Sequence, residues 1–446
     1  MGGLAFASGP DPLFTPRMPK DVYLEAKARC RDILQSMYEV VESPIEGPGK
    51  EDFGDVDMAV FGPKQGTISS DAEALQQIAE ALGATRSIFT KVEGVSSHLA
   101  LPWPETAVDR GAHTDATGQT TTEGLASTAA PTETASADHG VAGDDDNRSR
   151  HIQVDVSIFP SLDSLNWMLF KHAHGDLWNL IGSTIRPYGL TVDQQALWLR
   201  IPEIEPFNHK RAKVLLTSDH SQILNFIGLS VETYWKGPFE SPEAMYEYVA
   251  QCRMFWAPPS HDEELPNQES GASADDHGRR ALKSNDRRRM NYRPAFRKWI
   301  DEFKPECRRQ GRFSEQKTTR DEVTAEAIAH FNVSEEYDMR LHEFRVERQR
   351  DHIWNVMIKA AIPPADPSNP RSITYRGCLV KALKRVVLED NQDYGVHLPE
   401  DCKCEGGLFD LDKVAAFIET HEDEIGESAY SRQASAYAGK KEKKKK

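Results

Sequence analysis

The chain has 446 residues, a formal net charge of −16 at pH 7 and a hydrophobic content of 39%. This length exceeds what a single compact core usually organises, so two or three domains are expected. The acidic balance argues against a protein that coats nucleic acid indiscriminately, but it does not exclude a local basic groove.

Six cysteines are scattered along the sequence, which is typical of a reducing compartment rather than of a disulfide framework. The pair in Cys402-Lys403-Cys404 lacks the second ligand pair of a zinc site. No run approaches the roughly 20 apolar residues of a membrane span, and no leader pattern opens the sequence. We therefore expect an intracellular protein, cytoplasmic or nuclear, without a membrane partner.

In chain order, residues 1–19 are rich in Gly and Pro and predict a flexible N-terminus. A domain over 20–256 follows. It begins with a predicted helix from Asp21 to Val41 and has a second predicted helix after the capping box Ser70-Asp71-Ala72-Glu73. A strand is predicted between these helices, and the mixture of helices and strands favours an α+β fold.

Residues 104–149 separate two further predicted strands, at 98–103 and 150–159. This segment consists mainly of Thr, Ala, Gly, Asp and Glu, so it has too little apolar area to offset the entropy lost on ordering its backbone. We interpret it as a disordered insertion at the tip of a hairpin. Such an insertion is tolerated because the cost of loop closure rises only with the logarithm of length.

Two of the predicted strands carry acids in a regular pattern. Asp55 and Asp57 alternate with apolar residues, so both carboxylates point to the same face. Asp155 is the only acid of the run 152–158, whose apolar residues occupy the opposite face. If these strands are neighbours, three carboxylates meet and repel one another unless a cation lies between them. Mg²⁺ or Mn²⁺ fits this need and indicates a two-metal phosphoryl-transfer site.

The second half of the chain is predicted to be helical. Residues 257–290 are polar and contain Pro and Gly, which we interpret as a linker before a helical domain over 291–425 and a Lys-rich tail over 426–446. The Arg-rich segment 287–312 carries aromatics at helical spacing. It is either the solvated face of an ordinary amphipathic helix or a phosphate-contacting surface for nucleic acid. The tail likewise predicts either a solvated terminus or an import signal or nucleic-acid arm.

The acidic strands occur in order with further motifs. Gly54-Asp55-Val56-Asp57, the later Asp155 and the segment His172-Ala173-His174-Gly175-Asp176-Leu177-Trp178-Asn179 resemble the nucleotidyltransferase superfamily to which DNA polymerase beta belongs. The resemblance covers residues 43–240 without the insertion. It implies a mixed sheet flanked by helices. It also implies magnesium-dependent transfer of a nucleoside monophosphate from a nucleoside triphosphate to a hydroxyl acceptor, such as a nucleic-acid end.

The resemblance further implies roles for individual residues. Asp55, Asp57 and Asp155 would bind two Mg²⁺ ions, with Asp155 also acting on the attacking hydroxyl as a base or electrostatic partner. Five other positions would contact the nucleotide, with Arg200 at the triphosphate and Asp176 and Asn179 at the sugar or base: Gly54, Gly175, Asp176, Asn179 and Arg200.

The sequence departs from this family upstream of the acids, where Pro44 and Ile45 replace a Gly-Ser pair that receives phosphate oxygens. Proline has no N–H and isoleucine has no hydroxyl, so this contact is lost. Gly47, Gly49 and Lys50 are candidates for a substitute phosphate contact, because Gly permits close backbone approach and Lys supplies a point charge.

Three classes of function remain open on the sequence. The first is a nucleotidyltransferase, and the second is a catalytically degenerate module of that fold that binds nucleic acid or a protein partner. The third is a metal-dependent nuclease or phosphatase, which usually recruits His or Glu ligands that the sequence does not reveal. His172 and His174 are either a polar loop pair or contacts to phosphate or base.

Overall fold

The computed structural model describes residues 3–8, 10–64, 71–90, 95–104, 149–259 and 284–443. The chain forms two compact units. The first comprises residues 1–197 and 217–320, and the second comprises residues 198–216 and 321–446. Helices and a mixed sheet are both present, so the predicted α+β class is confirmed. The units do not divide at the predicted linker, because the helical segment that follows it belongs to the first unit.

A five-stranded sheet forms the centre of the first unit. The strands of this unit are β1 (Met18–Pro19), β2 (Tyr38–Glu42), β3 (Asp52–Phe53), β4 (Asp55–Pro63), β5 (Arg86–Thr90), β6 (Val95–Pro102), β7 (His151–Ile158) and β8 (Leu190–Val192). The sheet has the order β2-β4-β7-β6-β5. Strands β4 and β7 are parallel, and the other neighbouring pairs are antiparallel. The short strands β1 and β3 form a separate antiparallel pair.

The predicted hairpin across the insertion is confirmed. Strands β6 and β7 pair from Val95 opposite Ile158 to Pro102 opposite His151. Residues 105–148, which include nearly all of the predicted insertion, lie outside the described residues. The pairing therefore joins two strands whose nearest ends, Pro102 and His151, are 49 residues apart in the sequence, as loop-closure entropy permits.

The helices of the first unit precede, separate and follow the strands of this sheet along the sequence. They are α1 (Lys20–Met37), α2 (Asp71–Leu82), α3 (Leu162–His172), α4 (Leu177–Ile185), α5 (His220–Ile227), α6 (Val231–Trp235), α7 (Pro242–Ala250), α8 (Ser284–Tyr292), α9 (Pro294–Lys298) and α10 (Lys304–Arg309). Helix α2 ends where Gly83 adopts a φ of +72°, which a residue with a side chain rarely does. Helix α1 ends four residues earlier than the sequence predicts, because Tyr38–Glu42 pairs with β4 as a strand.

The second unit is mostly helical. It contains the helices α11 (Arg320–Phe331), α12 (Ser334–His352), α13 (Pro370–Glu389) and α14 (Leu411–Lys443). The strands β9 (Leu197–Arg200) and β10 (Lys213–Thr217) are hydrogen-bonded to each other. Buried aliphatic and aromatic side chains of α13 and α14 share one core, with Leu383, Val386, Val414 and Ile425 fully inaccessible to solvent. Among the described residues, every helix is too short or too polar to cross a bilayer.

Residues 3–8 and 10–15, which belong to the N-terminus 1–19 that is predicted to be flexible, pack against the rest of the first unit. Phe6 is buried, and its carbonyl accepts a hydrogen bond from Leu13 N–H at 3.0 Å. Phe14 bridges to Arg150 beside β7, and its carbonyl accepts the N–H of His151 at 2.9 Å. A composition rich in Gly and Pro predicts flexibility here, and it does not reveal these aromatic anchors.

Replacing Phe6 with Ala is expected to lower the free energy of unfolding of the first unit by about 2–4 kcal/mol, because a buried ring is lost and a cavity remains. The side chain of Leu4, two residues away, is 68% exposed. Leu4→Ala is therefore the matched control, with an expected change below about 0.5 kcal/mol. Denaturant unfolding measures both variants, and equal stabilities would contradict the packing of this segment.

Candidate metal centre and its cleft

Three carboxylates converge on the sheet. Asp57 lies directly opposite Asp155 in the parallel pair β4–β7, and Asp55 precedes Asp57 by two residues on the same face. One oxygen from each carboxylate lies within 4.8 Å of the other two. The alternating pattern of the sequence predicts this convergence, and the register of the two strands produces it.

The carboxylate of Asp155 is held by two neighbours. His98 Nδ1 donates to Asp155 Oδ1 at 2.9 Å, and Gln153 Nε2 donates to the same oxygen at 2.9 Å. Strand pairing explains the first contact, because His98 lies opposite Asp155 in the β6–β7 ladder. Burial raises the pKa of Asp155, while the hydrogen bonds from His98 and Gln153 act against that increase.

The protein environment disfavours the ionised form of Asp57. Its side chain opens into a cleft, yet the surrounding protein desolvates it and raises its pKa to about 7; the charges of Asp55, Asp155 and Glu46 add to the increase. A divalent cation between the carboxylates would neutralise their repulsion and favour the ionised form of Asp57. The donors are all carboxylate oxygens, which suit Mg²⁺ or Mn²⁺. The residues present therefore fit such an ion.

A cleft of about 890 Å³ opens in the first unit beside these acids. Most of the residues that the sequence predicts for nucleotide and metal binding line it, namely Gly47, Lys50, Gly54, Asp55, Asp57, Gly175, Asp176 and Asn179. Pro44 and Ile45, which replace the Gly-Ser pair, also line the cleft. Motifs that are separate in the sequence thus line the same cleft in the structure.

The loop 43–50 is held by contacts within the protein. Ile45 O accepts the N–H of His174 at 2.8 Å, and a Cβ on Gly175, whose φ is +63°, would lie 3.5 Å from Gly47 Cα. Lys50 Nζ donates to Glu46 Oε2 at 2.7 Å. These glycines therefore allow two loops to approach each other, and the predicted phosphate contact of Lys50 competes with a neighbouring carboxylate.

Gly49 and the nearby Tyr23 complete this loop. Gly49 has a φ of +62°, and a Cβ there would lie 3.4 Å from a side-chain atom of Pro242. Gly49 is a turn residue rather than part of the cleft lining. The hydroxyl of Tyr23 donates to Glu46, and burial, followed by this bond, raises the pKa of Tyr23. The loop is thus fixed at Glu46, which accepts hydrogen bonds from both Tyr23 and Lys50.

Asp176 and Asn179, the two predicted sugar or base contacts, bind arginines of the first unit. Arg293 forms an ion pair with Asp176, and Arg289 Nε donates to Asn179 Oδ1 at 3.0 Å. Both arginines line the cleft, and the Arg293 side chain is 50% exposed. Asp176 and Asn179 thus hold two cations at the cleft rather than presenting free polar groups to it.

Arg200 differs from the other predicted nucleotide contacts. It lies in the second unit, where its buried guanidinium donates to Glu205 Oε1 at 2.6 Å. His174 is also buried: its Nε2 donates to Tyr234 O at 2.7 Å, and its ring packs on Phe239. Both His172 and His174 line the cleft, but the His174 ring is engaged within the protein, so a structural role applies to His174.

Several cleft residues were not recognised in the sequence. Lys171 lies over the Trp178 ring at 4.6 Å, and burial lowers the pKa of Lys171 to about 8. Arg17 and Arg186 also line the cleft without a signal in the sequence, whereas Arg289 and Arg293 belong to the Arg-rich segment 287–312. The Asp155 partners His98 and Gln153 were likewise not predicted. For His98 a signal exists, because it alternates with Leu99 and thus falls on the polar face of its strand. The pairing of Arg289 and Arg293 with Asn179 and Asp176 gives no comparable signal, since the partners lie over 100 residues apart in the sequence.

Comparison with known proteins identifies no relative: no family model matches the chain, and no curated protein matches it.

The raised pKa of Asp57 predicts a pH-dependent stability without metal. An Asp with a folded-state pKa of about 7, against 3.8 unfolded, contributes most to stability below pH 3.8, and this contribution is lost as the pH rises through 7. In EDTA at pH 8, Asp57→Asn is therefore expected to be more stable than the wild type by about 1–2 kcal/mol after discounting for solvent screening.

The difference should vanish near pH 4 and shrink at pH 8 when Mg²⁺ is added. Glu51→Gln, which removes an exposed carboxylate four residues from Asp55, is the matched control and should show neither effect. Unfolding curves at pH 4, 6 and 8 measure the dependence. A difference in unfolding free energy between Asp57→Asn and the wild type that does not change with pH would contradict the raised pKa of Asp57.

Proposed function

We propose that this chain is a divalent-cation-dependent nucleotidyltransferase with a fold of the DNA polymerase beta type. The observation that carries the proposal is the set of three carboxylates on neighbouring parallel strands, beside a cleft that also contains arginines and lysines. Clustered acids alone are common on protein surfaces. Together with cations in the same cleft, they suit a substrate that brings both metal-chelating phosphates and excess negative charge.

In the proposed reaction, a hydroxyl oxygen of the acceptor attacks the α-phosphorus of a nucleoside triphosphate, and pyrophosphate leaves. Bound Mg²⁺ would neutralise charge on the phosphates and make the attacking hydroxyl more acidic. We assign Asp155 the role of proton acceptor or electrostatic partner. Two hydrogen bonds orient its carboxylate, and burial raises its pKa, which makes it a better base.

Arg289 and Arg293 are the proposed triphosphate contacts, in place of Arg200. Both line the cleft, and planar guanidinium groups can bind phosphate oxygens through two parallel hydrogen bonds. Asp176 and Asn179 would then position these arginines. Lys50 and Lys171 add further positive charge to the same cleft.

The acceptor is proposed to be a nucleic-acid end. In the segment 287–312, the aromatics Phe296 and Trp299 are fully buried, whereas Arg297 and Lys298 are exposed. These two aromatics therefore form core and are not available to stack on bases, whereas Tyr292 is 59% exposed and lines the cleft. The exposed charges leave a surface for phosphate contacts next to residues that line the cleft.

Asp55→Ala and Asp155→Ala are each expected to reduce metal-dependent transfer from a labelled nucleotide by about 10³-fold, because each removes a group that holds charge at the reacting phosphate. The assay screens four ribonucleotides and four deoxynucleotides against single-stranded RNA, DNA and protein acceptors. Glu51→Gln is the control and should retain full activity. Full activity in either Asp variant would refute the proposal. A nucleotide affinity that is the same with and without Mg²⁺ would favour a non-catalytic binding module.

Arg293→Ala is expected to raise the KM for the nucleotide by about tenfold, the equivalent of 1.4 kcal/mol, which is the scale of one charge-assisted hydrogen bond. Arg297→Ala is matched in charge and lies on the same segment, but its side chain is exposed and does not line the cleft. Steady-state kinetics with saturating acceptor measures both. Equal KM values for the two variants would exclude Arg293 as a triphosphate contact.

A further inference from the structure

Residues 3–5 are linked by hydrogen bonds to two of the three carboxylates, one directly and one through Gln153. Gly3 N–H donates to Asp55 Oδ2 at 3.2 Å. Ala5 N–H donates to Gln153 Oε1 at 2.9 Å, and Gln153 Nε2 in turn donates to Asp155 Oδ1 at 2.9 Å. The segment thus binds Asp55 directly and Asp155 through one intervening side chain.

The Gln153 amide can have only one orientation in this chain of hydrogen bonds. Its Oε1 must accept from Ala5, because a backbone N–H cannot accept, and its NH₂ group therefore points to Asp155. Gln153 is only 3% exposed, so water cannot easily replace either partner. Without the Ala5 N–H, the amide could rotate and withdraw its donor from Asp155.

The close approach at Gly3 requires glycine. Its φ is +82°, and a Cβ there would lie 2.2 Å from the backbone oxygen of Gly54, the residue before Asp55. Any side chain at this position must push the segment away from β4. The carbonyl of Gly3 also accepts the hydroxyl of Thr15 at 2.8 Å, which fixes the peptide plane on its other side.

We propose that residues 3–5 are a positioning element of the carboxylate centre, a role that rests on the proposed metal-dependent function. Uncharged N–H donors on Asp55 and Asp155 offset part of the repulsion among the three acids without adding a cation that would compete with the metal. In the described part of the chain, the hydrogen bonds to Asp155 all go to Oδ1. The other oxygen therefore remains for a metal ion or the attacking hydroxyl.

Gly3→Ala and Gln153→Leu test this role in the full chain. Each is expected to weaken Mn²⁺ binding by about tenfold, the scale for residues that orient metal ligands, and to alter the electron paramagnetic resonance spectrum of the bound ion. The midpoint of thermal unfolding in EDTA is expected to fall, because Gly3→Ala strains the backbone and Gln153→Leu leaves the partly buried Ala5 N–H without its acceptor. Mn²⁺ binding is therefore measured at a temperature at which each variant is folded. Leu4→Ala and Ser157→Ala, the neighbouring controls, should bind Mn²⁺ as the wild type does.

The same proteins are then assayed for transfer over a range of Mg²⁺ concentrations. We expect Gly3→Ala and Gln153→Leu to require about tenfold more Mg²⁺ for half-maximal rate, with the nucleotide KM at saturating Mg²⁺ little changed. If Gly3→Ala fails to fold, Gln153→Leu decides the matter alone, because leucine has a similar volume and leaves the backbone at Gly3 unchanged.

The outcomes separate the two proposals. Wild-type protein that binds Mn²⁺, loses it in Asp57→Asn and yet transfers no nucleotide would refute the nucleotidyltransferase function alone, because the Mn²⁺ affinities of the variants would still test the positioning role. Gly3→Ala and Gln153→Leu proteins that bind Mn²⁺ as tightly as the controls would overturn the positioning role. Wild-type protein that binds no Mn²⁺ would overturn both.

Discussion

The parallel pairing of β4 with β7 is the constraint on which the site depends, because it forces like charges together. Two carboxylates about 4 Å apart repel by roughly 4 kcal/mol at an effective dielectric constant of about 20. The apolar residues of the same strands are almost completely buried: Val56, Met58, Val60, Val154 and Val156. Each fully buried aliphatic side chain contributes about 1.5–3 kcal/mol. The three carboxylate pairs together repel by an amount of the same order as this burial contributes, and protonation of Asp57, whose pKa is raised to about 7, relieves part of the repulsion before a cation binds.

Much of this sheet could be predicted from the sequence, because alternation is a local property. The alternating acids of 55–57 and the single acid in 152–158 define which face is polar, whatever the neighbouring strand is. The register is not local. That Asp57 lies opposite Asp155, and His98 opposite Asp155 on the other side, depends on pairing across an insertion whose length has no influence on the register.

The parts that could not be predicted depend on contacts between distant segments. A buried arginine such as Arg200 has the same sequence appearance as one that faces a ligand, and only its partner Glu205 reveals the difference. Asp176 and Asn179 follow a recognisable motif, yet their partners come from 284–293. The Gly- and Pro-rich N-terminus, residues 1–19, is predicted to be flexible because composition reports local backbone preference and not the burial of Phe6.

These contacts also suggest how the cleft could bind phosphate without the Gly-Ser pair. Pro44 has no amide to donate, and Lys50 is paired with Glu46. Arg293, by contrast, is half-exposed in its pair with Asp176, and an ion pair with such exposure is worth only about 0–1 kcal/mol. A polyphosphate could therefore take over part of this guanidinium at small cost, while Asp176 still fixes its position. If the chain has the proposed function, Arg289 and Arg293 supply the phosphate contacts for which the loop 43–50 lacks backbone N–H donors.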